Sequence, residues 1–401
     1  PTGSNRTYDV YQIFTGDLSG KVLSNVKWGK NGTDTVGKAV PQETLDALAA
    51  VNSLSDTEKL AEISKYVDLN SEKFGTVSDG SPLTAPTGYY LIKDNGPVND
   101  GEAYSLYVVQ VVGPTTISPK VGTTTSDKKV KDTNDSAANS TTDWQDSADY
   151  DIGDDVPFQL KATIAQDYAN YTHGYKLTFH DKEDAGLIFN KNSVKVYVDG
   201  TLITTGYEVV TEGLTDGCTF EVRFANLKEI TSVHAGSVIS VEYTSTLDTD
   251  ATVGSAGNKN TSHVTYTNNP NDEQAGENGE TPDDVVIVFT YQTIVNKVTK
   301  NPNYDPTVGG SEEYIPLKGA GFTLYKKNAS GTYEPVGSEL KDEDMTTFTW
   351  SGLDDGDYKL VETTTPSGYN TIPDIEFTIS AGHVDGDSPY LNTLSGNVPS
   401  G

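Results

Sequence analysis

Apolar and polar residues alternate with period two along much of this chain, the pattern of strands that bury one face. Near the start, TYDVYQIFTG sets Tyr8, Val10 and Gln12 against Asp9, Tyr11 and Ile13. GYYLIKD and AYSLYVVQVVG follow in the same segment, the second apolar enough for burial on both faces. Between them, residues 41–68 (PQETLDALAAVNSLSDTEKLAEISKYVD) change to a helical period and predict two short helices, with Ser55 and Glu58 as a capping box. From 126 to 269 the strand pattern recurs in VPFQLKATIA, YKLTFHD, SVKVYVDG, CTFEVRFANL, SVISVEYTSTL and SHVTYTN, separated by Gly, Asp and Asn turns. It returns from 284 onward in VVIVFTYQTIVNKV, GFTLYKK, TFTWSGL, GDYKLVETT and IEFTIS.

Two stretches interrupt the pattern. Residues 113–125 are rich in Pro, Thr and Gly, and residues 270–283 (PNDEQAGENGETPD) have no apolar periodicity. They divide the chain into 1–121, 122–280 and 281–401. A chain of 401 residues is too long for a single core. The expected fold class is mainly β: tandem Ig-like β-sandwich domains in an elongated rod, the N-terminal one carrying a few short helices.

Composition narrows the function. A net charge of -30 argues against nucleic acid and anionic lipid as partners, since both would be repelled. No run approaches the length of a membrane span. The opening PTGSNRTYDVYQIF lacks a signal-peptide pattern, the expectation for a mature ectodomain or a cytosolic protein. The single cysteine, Cys218, excludes an internal disulfide and is expected as a small buried strand residue. The five histidines have no metal-ligand spacing, and His180 reads as a strand residue. The acidic insertion 132–155, with Asp132, Asn134 and Asp135, lacks the glycine and closing glutamate of an EF-hand loop and reads as a solvated loop. No metal and no cofactor are therefore expected, and no nucleophile-elbow motif points to a hydrolase.

Against the acidic background, residues 115–131 (TTISPKVGTTTSDKKVK) gather Lys120, Lys128, Lys129 and Lys131. Alternation puts Lys128 on the face of Val130, and Lys129 and Lys131 on the other. Lys120 follows Pro119, which cannot donate a ladder hydrogen bond and belongs at an edge or strand end, so Lys120 is expected to be exposed. Along VVIVFTYQTIVNKV the same alternation groups Tyr291, Thr293, Val295 and Lys297.

The C-terminal segment carries GAGFTLYKKNASGTYEPV, TFTWSGLDDGDYKLVETTTPSGYN and YLNTLSG, and resembles a CnaB-type domain of Gram-positive surface proteins, with LVETTTPSGY as its E-box and Glu362 as the acid. DWQDSADYDIGDDVPFQL, YKLTFHDKEDAGLIFN, VKVYVDGT and VTYTNNPN resemble the CnaA-like middle domain of sortase-assembled backbone pilins. TISPK resembles their pilin motif, with Ser118 where the usual form has Tyr. The LPxTG sorting signal is expected beyond Gly401.

The resemblance implies a structural subunit rather than an enzyme, polymerised on the cell wall by a class C sortase with Lys120 as acceptor. It implies as partners that sortase, further copies of the chain joined head to tail, a tip or minor pilin, and host extracellular ligands. It also implies autocatalytic Lys–Asn isopeptide bonds. In the C-terminal domain, burial would lower the pKa of Lys297 and free its amine to attack Asn392, with a buried, protonated Glu362 as proton shuttle. In the middle domain the corresponding residues are Lys128 and Asp181. Parity leaves the asparagine open, since Asn260 and Asn268 both share the face of Val264 and Tyr266; the strand ending TYTNNP favours Asn268. The alternative reading is a monomeric wall-anchored adhesin with the same domains as a stalk.

Overall fold

The computed structural model describes residues 7–19, 22–50, 62–78, 81–95, 106–111, 123–270, 274–276, 279–307, 310 and 312–396. The fold is mainly β throughout these residues. In the N-terminal region four antiparallel strands run in the order Val22–Trp28, Thr7–Ser19, Gly88–Asp94, Leu106–Val111, and Gly75–Ser78 adds to the second of them. Tyr11, Ile13 and Leu91 pack on one face with Phe14 and Trp28; Tyr8, Val10, Tyr90 and Ile92 form a smaller cluster on the other. One helix covers Gln42–Ala50, and helical backbone resumes at 62–64. The Ser55–Glu58 capping box lies outside the described residues.

The middle region is a two-sheet sandwich. One sheet runs Thr201–Ile203, Lys195–Val198, Val238–Leu247, Asp155–Thr163, Thr125–Val130; the facing one runs Glu208–Val210, Phe220–Phe224, Leu177–Glu183, Asn258–Tyr266, Asp284–Phe289, Ser147–Asp149. Alternation decides what lies between them. In Val238–Leu247, residues 239, 241, 243, 245 and 247 point inward, bringing Tyr243 and Ser245 into an otherwise apolar core. That core includes Phe158, Phe179, Phe220, Val241 and Val264.

The C-terminal region builds on the sheet Tyr333–Pro335, Gly321–Lys327, Gly356–Thr364, Ile375–Val384, Tyr390–Ser395, faced by the pair Tyr291–Asn296 and Thr347–Leu353. Its core holds Phe322, Leu324, Phe348, Tyr358 and Leu360.

VVIVFTYQTIVNKV, read from sequence as one strand opening the last segment, divides at Thr290. Asp284–Phe289 completes the middle sheet against Asn258–Tyr266, and Tyr291–Asn296 pairs in the C-terminal region. The first half serves two cores, with Val286 and Val288 turned to the middle one and Ile287 and Phe289 to the C-terminal one. Nearby, Ile152 donates its N–H to the Gly352 carbonyl at 3.0 Å. Gly352 has φ +79, and a Cβ there would lie 2.3 Å from the Ile152 side chain, so only glycine lets the two regions close.

Two further expectations change. The insertion 132–155 is not a free loop: Ser136 Oγ donates to the Lys327 carbonyl at 2.8 Å and accepts from the Asp357 N–H at 3.0 Å. Its polar side chains satisfy the backbone of the neighbouring region, which composition alone does not reveal. Cys218 is a half-buried loop residue, free and ahead of Phe220–Phe224, because the turn at Asp216 accepts its N–H.

Candidate functional site

Lys128 enters the middle core from the edge strand Thr125–Val130, opposite Leu160. Its backbone N–H is held by Asp284 Oδ2 at 2.7 Å. Lys128, Asp181 and Asn260 are each 0% exposed. Lys128 Nζ lies 2.5 Å from Asp181 Oδ2 and donates to the Tyr243 hydroxyl at 3.1 Å. Tyr243 donates in turn to Asp181 Oδ2 at 2.8 Å, and Asn260 Nδ2 bonds the same hydroxyl at 2.9 Å. The rings of Phe158 and Tyr243 stack beside the ammonium, 5.6 and 5.7 Å from Nζ.

Register brings these groups together. Asp181 faces Ser262 and Glu183 faces Asn260 across one ladder, while Tyr243 arrives from the opposite sheet. Burial pushes the Asp181 carboxyl above its ordinary range, with Lys128 opposing. Glu183 is raised to about 8, by burial first and by Asp181 second. It accepts hydrogen bonds from Ser245 Oγ and, at 3.4 Å, from Asn260 Nδ2.

This register sets Asn260, rather than Asn268, beside Lys128 and Asp181. Asn268 lies beyond Tyr266, which pairs with Leu177, and so sits about 20 Å of strand from the level of Asp181. Parity places both asparagines inward, but only the ladder says which reaches the lysine. Tyr243 and Glu183 were missed. Both had a signal: Glu183 shares the face of Asp181 two residues earlier, and Tyr243 shares that of Val241.

In the C-terminal region Lys297 follows Tyr291–Asn296, with Tyr291, Thr293 and Val295 on the same inward side. Its Nζ is 2.8 Å from Glu362 Oε1, both side chains being nearly or fully buried, and 5.8 Å from the Phe322 ring centre. Glu362 Oε2 accepts the Ile372 N–H at 2.9 Å. Asn392 is not part of this group. It is exposed, at the irregularity where Tyr390–Ser395 pairs with Gly382 and His383. The ladder between Gly356–Thr364 and Ile375–Val384 ends at Leu360, and Gly382 lies past the other end, Gly356. Asn392 is thus about 30 Å of strand from Glu362. Lys120, the expected sortase acceptor, lies outside the described residues.

The comparisons agree with this architecture. Residues 310–388 match the family model of the SpaA prealbumin-like fold domain. No curated protein matches the chain. Among solved structures, the T6 backbone pilin of serotype M6 Streptococcus pyogenes, described as a modular three-domain structure with variable loops and extensions, is similar at 20% identity and TM-score 0.55, over 96% of this chain and 81% of that one. The full-length major pilin SpaD of Corynebacterium diphtheriae aligns at 18% identity and TM-score 0.48, over 91% and 84%. A C-terminal fragment of the Streptococcus agalactiae major pilin GBS80 aligns at 21% and 0.46, over 64% and 90%. The fold of this chain is that of a backbone pilin.

Proposed function

We propose that the chain is a shaft subunit of a sortase-assembled pilus on a Gram-positive cell wall, and that its middle region closes an isopeptide bond between Lys128 and Asn260. The observation that carries this reading is a lysine, a carboxyl and a carboxamide buried together around one tyrosine hydroxyl.

The reaction requires a proton to pass from Lys128 Nζ to Asp181, the carboxyl that burial holds above its ordinary range. Glu183, raised to about 8, is mainly protonated at neutral pH and adds no second charge to hold the ammonium. The free amine attacks Cγ of Asn260. Asp181 gives its proton to the departing nitrogen and takes up the one that Nζ loses on bonding to carbon; the Cγ–Nδ2 bond breaks, and ammonia leaves as the Nζ–Cγ amide forms. Tyr243, bonded to Lys128, Asp181 and Asn260, holds amine and carboxamide in place. The reaction turns over once, so the protein is its own substrate.

Lys120 would supply the intermolecular link. Its amine attacks the thioester formed when a class C sortase cleaves a neighbouring subunit's sorting signal, releasing the enzyme thiol. Other copies of the chain and the sortase are then the obligatory partners, with a tip pilin and host ligands beyond them. The Lys297–Glu362 pair offers the same chemistry, but among the described residues no carboxamide is bonded to either side chain, so one bond is proposed, in the middle region.

Intact mass tests the internal bond: the purified chain should be lighter than its sequence by one ammonia, and the full sequence mass would reject the bond. Expression of the full-length protein with its sortase tests assembly. Lys120→Ala should abolish covalent ladders while leaving the internal bond; ladders that persist would move the acceptor elsewhere or favour the monomeric adhesin.

A further inference from the structure

Asn260 lies directly across the ladder from Glu183, an acid to which the reaction above assigns no step. Asn260 Nδ2 bonds the Tyr243 hydroxyl at 2.9 Å and Glu183 Oε1 at 3.4 Å. The other atom of each group is left over. Asn260 Oδ1 is buried and accepts no hydrogen bond, and Glu183 Oε2 is likewise buried and without a partner.

Two buried acceptors on facing groups are unfavourable while both lack a donor. One proton removes both defects. Placed on Glu183 Oε2 it donates to Asn260 Oδ1, while Nδ2–H donates back to Oε1, and acid and amide join at two points. Burial first, and Asp181 second, raise Glu183 to about 8, so that proton is present at neutral pH. The Ser245 hydroxyl, bonded to Oε1, holds the carboxyl from its other side.

The place of that proton matters because of where charge develops. Attack of Lys128 Nζ on Cγ opens the carbonyl and leaves negative charge on Oδ1. The Tyr243 hydrogen is already held by Asp181 Oδ2 at 2.8 Å. Asp181 passes its own proton between the two nitrogens and cannot hold the oxygen as well. We propose that Glu183 is a second catalytic acid of the middle region, donating from Oε2 to Asn260 Oδ1 and stabilising the oxyanion as the tetrahedral intermediate forms. This inference rests on the bond proposed above. The proton stays on Glu183 throughout. The Nζ–Cγ bond forms, Oδ1 gains an electron pair and returns it, and the Cγ–Nδ2 bond breaks as ammonia leaves. Sequence resemblance names a single acid, Asp181; the second emerges from the ladder that sets Glu183 opposite Asn260.

The test follows bond formation in the full chain, kept unfolded in denaturant from synthesis and refolded by dilution. Intact mass times the loss of ammonia, and circular dichroism reports folding. At neutral pH Glu183→Leu should slow ammonia loss by about a hundredfold or more, the usual effect of removing one oxyanion donor. Glu183→Gln, whose amide also donates, should stay within about tenfold of the unaltered chain. The pH profile separates this role from a structural one. Lys128 and Asp181 exchange their proton internally, so that pair adds no pH dependence. The unaltered chain should therefore slow about tenfold per pH unit above about 8, where Glu183 loses its proton, and Glu183→Gln should show no such break. If Glu183→Leu fails to fold, the break and its absence in Glu183→Gln decide alone. A folded Glu183→Leu that closes the bond at the unaltered rate, or a break that persists in Glu183→Gln, would overturn the role of Glu183 and leave the bond standing. No loss of ammonia from the unaltered chain would overturn the bond, and this role with it.

Discussion

Lys128 and Lys297 both reach a buried carboxyl from a strand near the start of their region, but their surroundings differ in one respect. Asn258–Tyr266 is laddered directly to Leu177–Glu183, so Asn260 is fixed relative to Asp181. Among the described residues Tyr390–Ser395 is laddered only to Ile375–Val384, which has already left the Glu362 strand at Leu360. No register ties Asn392 to Glu362. Bringing a lysine and an acid together requires only that both face the core; supplying the carboxamide requires a specific strand pairing, and the two conditions are met independently.

The largest effect expected from breaking this comparison is on the middle region. Lys128→Ala should restore the mass of one ammonia and lower stability by about 5 kcal/mol, the chain-entropy value for losing a long covalent loop. Denaturation monitored alongside intact mass would check both, and reductant should change neither. Asn260→Ala should do the same to the mass.

Next comes the C-terminal pair. Breaking it with Glu362→Ala leaves a buried ammonium and should cost about 3–5 kcal/mol without altering the mass. Lys297→Met/Glu362→Leu should recover most of that loss, as expected for an ion pair. If Glu362→Ala instead added the mass of an ammonia, the two regions would be chemically alike and the contrast drawn above would fall.

A smaller effect separates the acids of the middle site. Glu183 is raised from its ordinary 4.5 to about 8, so the folded state binds its proton more tightly than the unfolded state. Its contribution is complete below about 4.5 and is lost as pH rises towards 8, by an amount on the order of a few kcal/mol. Comparing melting across that window, Glu183→Gln should flatten the decline relative to the unaltered chain; an identical slope would show that Glu183 is not protonated in the core. Smallest of all, Asn268→Ala should leave the mass unchanged and shift stability by about 1 kcal/mol or less. A regained ammonia there would reinstate Asn268 as the partner.

Much of the architecture was readable because strands declare their faces. SDKKVK marks Lys128 as the inward lysine, and YQTIVNK does the same for Lys297, since a period of two leaves no other choice. Asp181 and Glu362 were legible through motif resemblance. What could not be read was pairing. Asn260 and Asn268 have the same parity, and only the partner strand distinguishes them. Asn392 lies on a strand whose neighbour is set by where Ile375–Val384 parts from Gly356–Thr364, which no local pattern records. VVIVFTYQTIVNKV reads as continuous because its apolar residues satisfy two cores in turn, and a change of core leaves no mark on hydropathy.

The pairing of Asn260 with Val286 has a mechanical meaning. Were Lys128 and Asn260 joined, a pull applied along the chain would pass from residue 128 through one amide bond to residue 260. From there it would cross the ladder into Asp284–Phe289, the strand that leads into the C-terminal region. Residues 129–259, including most of the middle sandwich, would lie outside the load path. They could vary in loop length and surface chemistry without weakening that tether, because tension would not reach them.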